Sequence, residues 1–134
     1  MINVIKKKAY IGFDFDHDLE LKNSLISQSK REDSPFEIID MSITEAVDSK
    51  WKMFARERIR KCDVVILICG KHTDTAAGVA AEVTIAQELN KPYFLLRGRP
   101  NDVCKKPGMA KSSDKIYDWT WVNLKNLLAG YREL

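Results

Sequence analysis

The chain has 134 residues, 45% hydrophobic and 31% charged, which describes one ordinary globular domain spanning 1–134 with length enough to bury a core. A net charge of +3 with no recognisable nucleic-acid-binding module gives no reason to expect DNA or RNA as a partner. No segment has the length of unbroken apolar sequence that a bilayer needs, Met1–Lys8 lacks a signal peptide's apolar region, and Cys62, Cys69 and Cys104 are odd in number without metal spacing, so a reduced cytoplasmic protein is expected.

Lys8–Phe15 predicts a first strand, with Gly12 marking a close backbone approach. It runs into the acidic stretch Asp14-Phe-Asp-His-Asp18, where Asp16 or Asp18 can cap a helix over Leu19–Ser29 that turns Leu21, Leu25 and Ile26 inward. Lys30–Pro35 is a polar turn and Phe36–Asp40 a short second strand. Met41–Ser49 is irregular, although Ser42 or Thr44 can begin a helical turn. Lys50–Lys61 carries Trp51, Phe54, Ala55, Arg58 and Ile59 at helical spacing, with Lys52, Arg56, Arg60 and Lys61 making the far face basic.

Val64–Cys69 is an unbroken apolar, β-branched run, which suits a strand buried on both faces. Gly70 stops it. After the polar loop Gly70–Thr75, Val79, Val83, Ala86 and Leu89 recur at helical spacing, with Thr73, Asp74 or Thr75 available as N-cap. Asn90-Lys-Pro92 ends that helix and Tyr93–Arg97 is a fourth strand. Gly98–Lys115 is a long polar stretch of the kind that tends to be functional or mobile. Ile116-Tyr117 reads as a vestigial last strand, and a final helix capped by Asp118 or Thr120 runs through Ala129 to Gly130. The alternation predicts a flavodoxin-like three-layer α/β/α sandwich around a parallel sheet of order 2-1-3-4-5. That order sets the loops after strands one and three side by side at the switch point, where such folds bind ligands.

Three chemistries of this fold fail at those loops. Asp14, Asp16 and Asp18 would repel the phosphate of FMN. The third strand ends Ile68-Cys69-Gly70, without a receiver domain's phosphorylatable Asp, and neither the Rossmann glycine fingerprint nor a P-loop is present. His17 and His72 lack cysteine partners for zinc. The three aspartates form either a weak divalent-ion site or a solvated acidic loop.

The segments Ile11-Gly-Phe-Asp-Phe-Asp16, Val64-Val-Ile-Leu-Ile-Cys-Gly-Lys-His-Thr73, Val79-Ala-Ala-Glu-Val-Thr-Ile-Ala86 and Tyr117-Asp-Trp-Thr-Trp121 span nearly the whole chain in order. Together they resemble the TIR-like domain family of Thoeris anti-phage defence proteins. Thr75-Ala-Ala-Gly78 is small where family members usually carry Ser and often a bulky residue. The resemblance implies a TIR domain with no resident cofactor that takes NAD as substrate. It implies Glu82 as the catalytic group for cleaving the nicotinamide–ribose bond, and an ADP-ribose-derived signal, cyclic or conjugated, that activates a separate effector protein. It further implies a trigger and a homo-oligomer on activation. A fixed carboxylate suits the chemistry, because the departing nicotinamide leaves an oxocarbenium-like ribose.

Five neighbours are candidate NAD contacts, each with a plainer alternative. Phe13 stacks on a ring of the substrate or belongs to the core. Asp14 bonds a ribose or caps a helix. His72 orients a phosphate or ribose or closes a turn. Thr73 is a ligand or a cap, and Lys71 balances phosphate charge or is simply solvated. The competing reading of the whole chain is a non-catalytic TIR-like or receiver-like interaction module, in which the basic helix face carries the contacts.

Overall fold

The computed structural model describes residues 6–39 and 50–134. The expected strand end at Asp40, and the 41–49 stretch with its Ser42 or Thr44 turn, lie outside the described residues. The elements are β1 (Lys7–Gly12), α1 (Leu19–Ser29), β2 (Phe36–Ile38), α2 (Lys50–Lys61), β3 (Val64–Cys69), α3 (Ala77–Glu88), β4 (Tyr93–Arg97), β5 (Ile116–Asp118) and α4 (Trp121–Leu128). A single 3-10 turn, Thr73–Thr75, precedes α3. All five strands are parallel in the order 2-1-3-4-5, with Ile11 opposite Ile66, Ile66 opposite Phe94 and Leu95 opposite Ile116. This is the flavodoxin-like arrangement that the alternation of elements predicts.

Strand pleating divides the core in two. Alternate residues of a strand face opposite sides. Ile66 and Ile68 of β3 therefore join Ala9, Ile11, Leu96, Leu25 and Leu124 in a layer closed by α1 and α4. Val65, Leu67 and Cys69 join Tyr10, Ile59, Val79, Val83 and Leu95 in a second layer closed by α2 and α3. Because β3 is wholly buried, its sequence shows no polar alternation at all. Each fully buried Leu or Ile contributes roughly 1.5–3 kcal/mol, so the two layers hold the sheet from both sides.

Local chemistry redraws several expected boundaries. β1 stops at Gly12, three residues before Phe15, because the chain after Phe13 folds into a turn with the amides of His17 and Asp18 donating to the Asp14 carbonyl. Asp18 occupies the N-cap position of α1, yet its side chain makes no capping bond; it turns to Arg99 instead. α3 begins after Ala76, not after Thr73, Asp74 or Thr75. The Thr73 hydroxyl is already committed, accepting from the Gly70 amide at 2.7 Å. Thr120 does cap α4, accepting from the Asn123 amide at 3.0 Å. The 98–115 stretch has no helix or strand but is tied down along its length. Cys104 is buried against the α2/α3 layer, the Lys105 amide donates to the Gly70 carbonyl at 3.0 Å, and Tyr93 donates to Asp114 at 2.5 Å.

Gly70 is where these constraints meet. A Cβ built on it would lie 2.4 Å from Oδ2 and 2.7 Å from Oδ1 of Asp18, whose carboxylate is 1% exposed and held by Arg99. Burial raises the Asp18 pKa, and the Arg99 bonds oppose that rise. Gly70→Ala is therefore expected to cost about 1–3 kcal/mol, the usual range for overpacking. The same substitution is expected to cost measurably less in an Asp18→Ala background, where the obstructing carboxylate is gone. Chemical denaturation of the four proteins of this cycle checks the coupling.

Candidate functional site

Glu82 lies on the inward stripe of α3, between Val79 and Val83 and one turn before Ala86, so helical geometry aims a carboxyl into the α2/α3 core layer. Only 5% of Glu82 is exposed. A buried carboxyl needs room and a hydrogen-bond donor, and β1 supplies both. Gly12 leaves a gap that a Cβ would close, at 3.1 Å from Glu82 Oε1 and 2.6 Å from Leu67. Tyr10, two residues earlier on the same face of β1, donates its hydroxyl to Glu82 Oε2.

This pair shifts both groups. Burial raises the Glu82 pKa from 4.5 to about 8, against the smaller lowering by the Tyr10 hydrogen bond. Burial, reinforced by the adjacent carboxylate, holds the Tyr10 hydroxyl far above its usual range, so Tyr10 remains a donor. A carboxyl that stays protonated near neutrality, on a rigid helix beside the switch-point loops, is set up for charge-dependent chemistry.

The loops after β1 and β3 hold a second group. Asp14, 7% exposed, accepts from the Asp16 amide through Oδ1 and meets His17 Nδ1 through Oδ2 at 2.6 Å. The His17 ring stacks on His72, with centroids 4.0 Å apart and planes at 29°. Asp14 and His72, from separate loops, are thus joined through His17. Asp14 follows Gly12 by two residues, so its backbone lies within about 7 Å of the glycine that faces Glu82.

The other candidates are placed differently. Phe13 packs against the α1/α4 layer, across the sheet from Glu82, 6.1 Å from the Phe15 ring and with Lys22 over its face. Thr73 is fully buried and spends its hydroxyl on Gly70. Lys71 is exposed on the loop between β3 and α3. The acidic stretch is divided as well: Asp14 goes to His17, Asp18 goes to Arg99, and Asp16 faces solvent. No cluster of three or more His, Cys, Asp or Glu among the described residues is placed to hold a metal ion. Cys62 and Cys69 are poor nucleophile candidates, since burial pushes Cys62 up to about 11 and Cys69 higher still.

Two partners of the site were not singled out from sequence. Tyr10 reads as a strand aromatic, although its same-face spacing to Gly12 is the signal that links it to α3. His17 reads as part of an acidic loop, and only the fold brings it against His72.

Two open cavities lie nearby, neither lined by Glu82. One, of about 460 Å³, runs between α2 and α3 past Met53, Arg56, Ala81, Ile85 and Glu88. The other, of about 630 Å³, sits at the ends of β4 and β5 beside Arg97, Asp118 and Trp119. Arg56 pairs with Glu88, and Arg60 and Lys61 pair with Glu57, so the basic face of α2 is partly neutralised by exposed ion pairs of small energetic weight. No helix among the described residues is long and apolar enough to cross a membrane.

Comparison with known proteins agrees with this architecture. A family model described as "Thoeris protein ThsB, TIR-like domain" matches residues 10–99. That range includes Tyr10, Gly12, the Asp14–Asp18 loop, β3 and all of α3. No curated protein matches the chain. Among solved structures, a prokaryotic SEFIR domain is similar with a TM-score of 0.59 and 20% identity, covering 96% of this chain and 95% of its own. At that identity the likeness speaks for the fold.

The Glu82 environment has a consequence for stability. A carboxyl that titrates near 8 when folded and near 4.5 when unfolded leaves the folded protein holding more protons between those values. Stability should therefore fall as pH rises from about 4.5 to 8. Glu82→Gln removes this titration. The stability of the Gln variant relative to wild type should climb across the same window, by at most about 5 kcal/mol from a shift of this size. Denaturant midpoints of both proteins between pH 5 and 8.5 measure it.

Proposed function

The chain belongs to the TIR-like domain family of the Thoeris protein ThsB, and from that membership we propose that it is a cytoplasmic enzyme of anti-phage defence that consumes NAD. In this reading it cleaves the nicotinamide–ribose bond and releases an ADP-ribose-derived signal, cyclic or conjugated, that acts on a separate effector protein. The observation that carries the proposal is Glu82: a buried carboxyl on a rigid helix, fitted against Gly12 and held by Tyr10 beside the switch-point loops.

The chemistry follows from the charge that develops. As the C–N bond breaks, its electron pair leaves with nicotinamide and the ribose becomes oxocarbenium-like. An ionised carboxylate fixed close to C1′ stabilises that charge more than it stabilises NAD, and this difference is what lowers a barrier. Glu82 is enclosed and held protonated, which describes a resting state. Entry of water or substrate beside Glu82 relieves the burial that holds its pKa up, which outweighs any loss of the Tyr10 bond and makes the carboxylate available. A requirement for a trigger, and an assembled form on activation, fit that enclosure. Asp14 and His72 line the substrate side, Lys71 offers a charge for the diphosphate, and Thr73 supports the loop from beneath.

One observation favours a different reading. A carboxyl 5% exposed with its donor already in place is also how a structural acid is kept. The apolar groove between α2 and α3, rimmed by Lys52 and Arg56, would then serve a non-catalytic interaction module.

Mass spectrometry of NAD products from phage-challenged cells expressing the protein separates the two. Glu82→Gln is expected to lower the product at least about 10²-fold, the usual cost of removing one transition-state electrostatic contact, while folded yield is kept. Asp14→Ala and His72→Ala are expected to lower it less, and Lys52→Ala with Arg56→Ala to leave it unchanged. Product formed at the wild-type level by the Gln variant would remove Glu82 from the chemistry. Defence lost only in the Lys52 and Arg56 variants would favour the interaction module.

A further inference from the structure

We propose that His17, backed by Asp14 and stacked on His72, is the proton acceptor of the switch-point site. The inference rests on the NAD-cleaving reading and adds to it a catalytic residue that Glu82 cannot replace.

The argument begins with orientation. In a neutral imidazole one ring nitrogen donates and the other accepts, and the partner of the first decides which is which. Asp14 Oδ2 stands 2.6 Å from His17 Nδ1, so Nδ1 carries the proton and Nε2 keeps its lone pair. The side chain bearing that lone pair is 49% exposed, whereas that of Asp14 is 8% exposed. A sheltered carboxylate behind a half-open imidazole is the arrangement by which an acid orients a base and stabilises it once protonated.

His17 is also held firmly. Its amide donates to the Asp14 carbonyl at 3.2 Å, and its own carbonyl accepts from Arg99 Nη2 at 2.8 Å. Arg99 is fixed in turn by Asp18 and Glu20. One face of the ring is covered by His72, which comes from the β3–α3 loop. Backbone, ring edge and ring face are therefore each constrained by a different element, as a pre-organised catalytic group requires. An imidazole serving only to close a turn needs none of the last three contacts.

The step it performs balances as follows. The C1′–N bond of NAD breaks and its electron pair departs on neutral nicotinamide. A hydroxyl, from water or from an acceptor molecule, attacks C1′ with an oxygen lone pair and forms the new C1′–O bond. The proton of that hydroxyl passes to His17 Nε2, and the resulting imidazolium is neutralised by Asp14. Glu82 stabilises the cationic ribose and takes no proton in this step.

The test uses protein purified from phage-challenged cells, with nicotinamide release from NAD as the readout and sodium azide as the probe. Azide is already an anion and attacks C1′ without shedding a proton, so it bypasses a general base. His17→Asn keeps an N–H donor toward Asp14 and deletes the accepting nitrogen. It should slow nicotinamide release by about 10²-fold, at the lower end of what general-base catalysis contributes, with an unchanged thermal midpoint. Azide should restore its rate toward wild type, with ADP-ribosyl azide as the product, and should not restore Glu82→Gln. His17→Gln carries the same test through a second side chain. Full activity of both His17 variants, or a loss that azide does not repair, overturns the proton-acceptor role while leaving the NAD reading intact. Absence of nicotinamide release from the wild-type protein under these conditions overturns both.

Discussion

The hydrogen bond from Tyr10 to Glu82 is the constraint around which this domain is arranged. It joins the middle of the sheet to the middle of a covering helix inside an otherwise apolar layer. A carboxyl left there without a donor would face an uncompensated desolvation of several kcal/mol. Its presence therefore fixes other choices. The residue two positions along β1 is glycine, where a Cβ would press on the end of the Leu67 side chain and on the carboxyl. The helix has to seat through Val79, Val83 and Ala86 at a depth that places Glu82 over that gap. The buried pair is retained at a cost in stability, and such costs are commonly accepted where function requires them.

A second network fixes the rim. Arg99, just beyond β4, bonds Asp18, Glu20 and the His17 carbonyl, tying the start of α1 to the end of β4 across β1 and β3. Asp18 packs against Gly70, and the Gly70 amide and carbonyl go to Thr73 and Lys105. The loops after β1, β3 and β4 are thereby one connected unit. Asp18 Oδ2 is buried against Gly70 while Oδ1 takes the Arg99 bonds. The position of Asp14, His17 and His72 depends on this unit, although none of the three forms part of the apolar core.

Much of the fold was legible in the sequence because hydrophobic periodicity reports burial directly. Val64–Cys69 has no polar residue, as a strand covered on both faces must, and the spacing of Val79, Val83 and Ala86 sets the inner stripe of α3. Caps and strand ends were less legible. Thr73 has an N-cap's chemistry but is drawn off by the Gly70 amide, and Asp18 is drawn off by an arginine 81 residues away in sequence. Glu82 was legible mainly through the resemblance of Val79–Ala86 to the TIR-like family, and its place between Val79 and Val83 agrees with burial. Tyr10 and His17 did not stand out: their roles arise only when β1 meets α3 and when two loops are brought together. Contacts of that kind depend on topology, and local pattern does not contain them. The 98–115 stretch teaches the same lesson, since its polar composition suggested looseness while Cys104 and the Lys105 amide anchor it.

The reading of Glu82 as an acid held in reserve can be tested on the atom itself. Carbon-13 NMR of the Glu82 side-chain carboxyl, assigned by comparison with Glu82→Gln, follows its titration in the folded protein. A midpoint near 8, moving upward when Tyr10→Phe removes the donor, is the expected result. A midpoint near 4.5, insensitive to Tyr10→Phe, would mean that the carboxyl is solvated and ionised in the resting protein, and the enclosed pair at the centre of this structure would be contradicted.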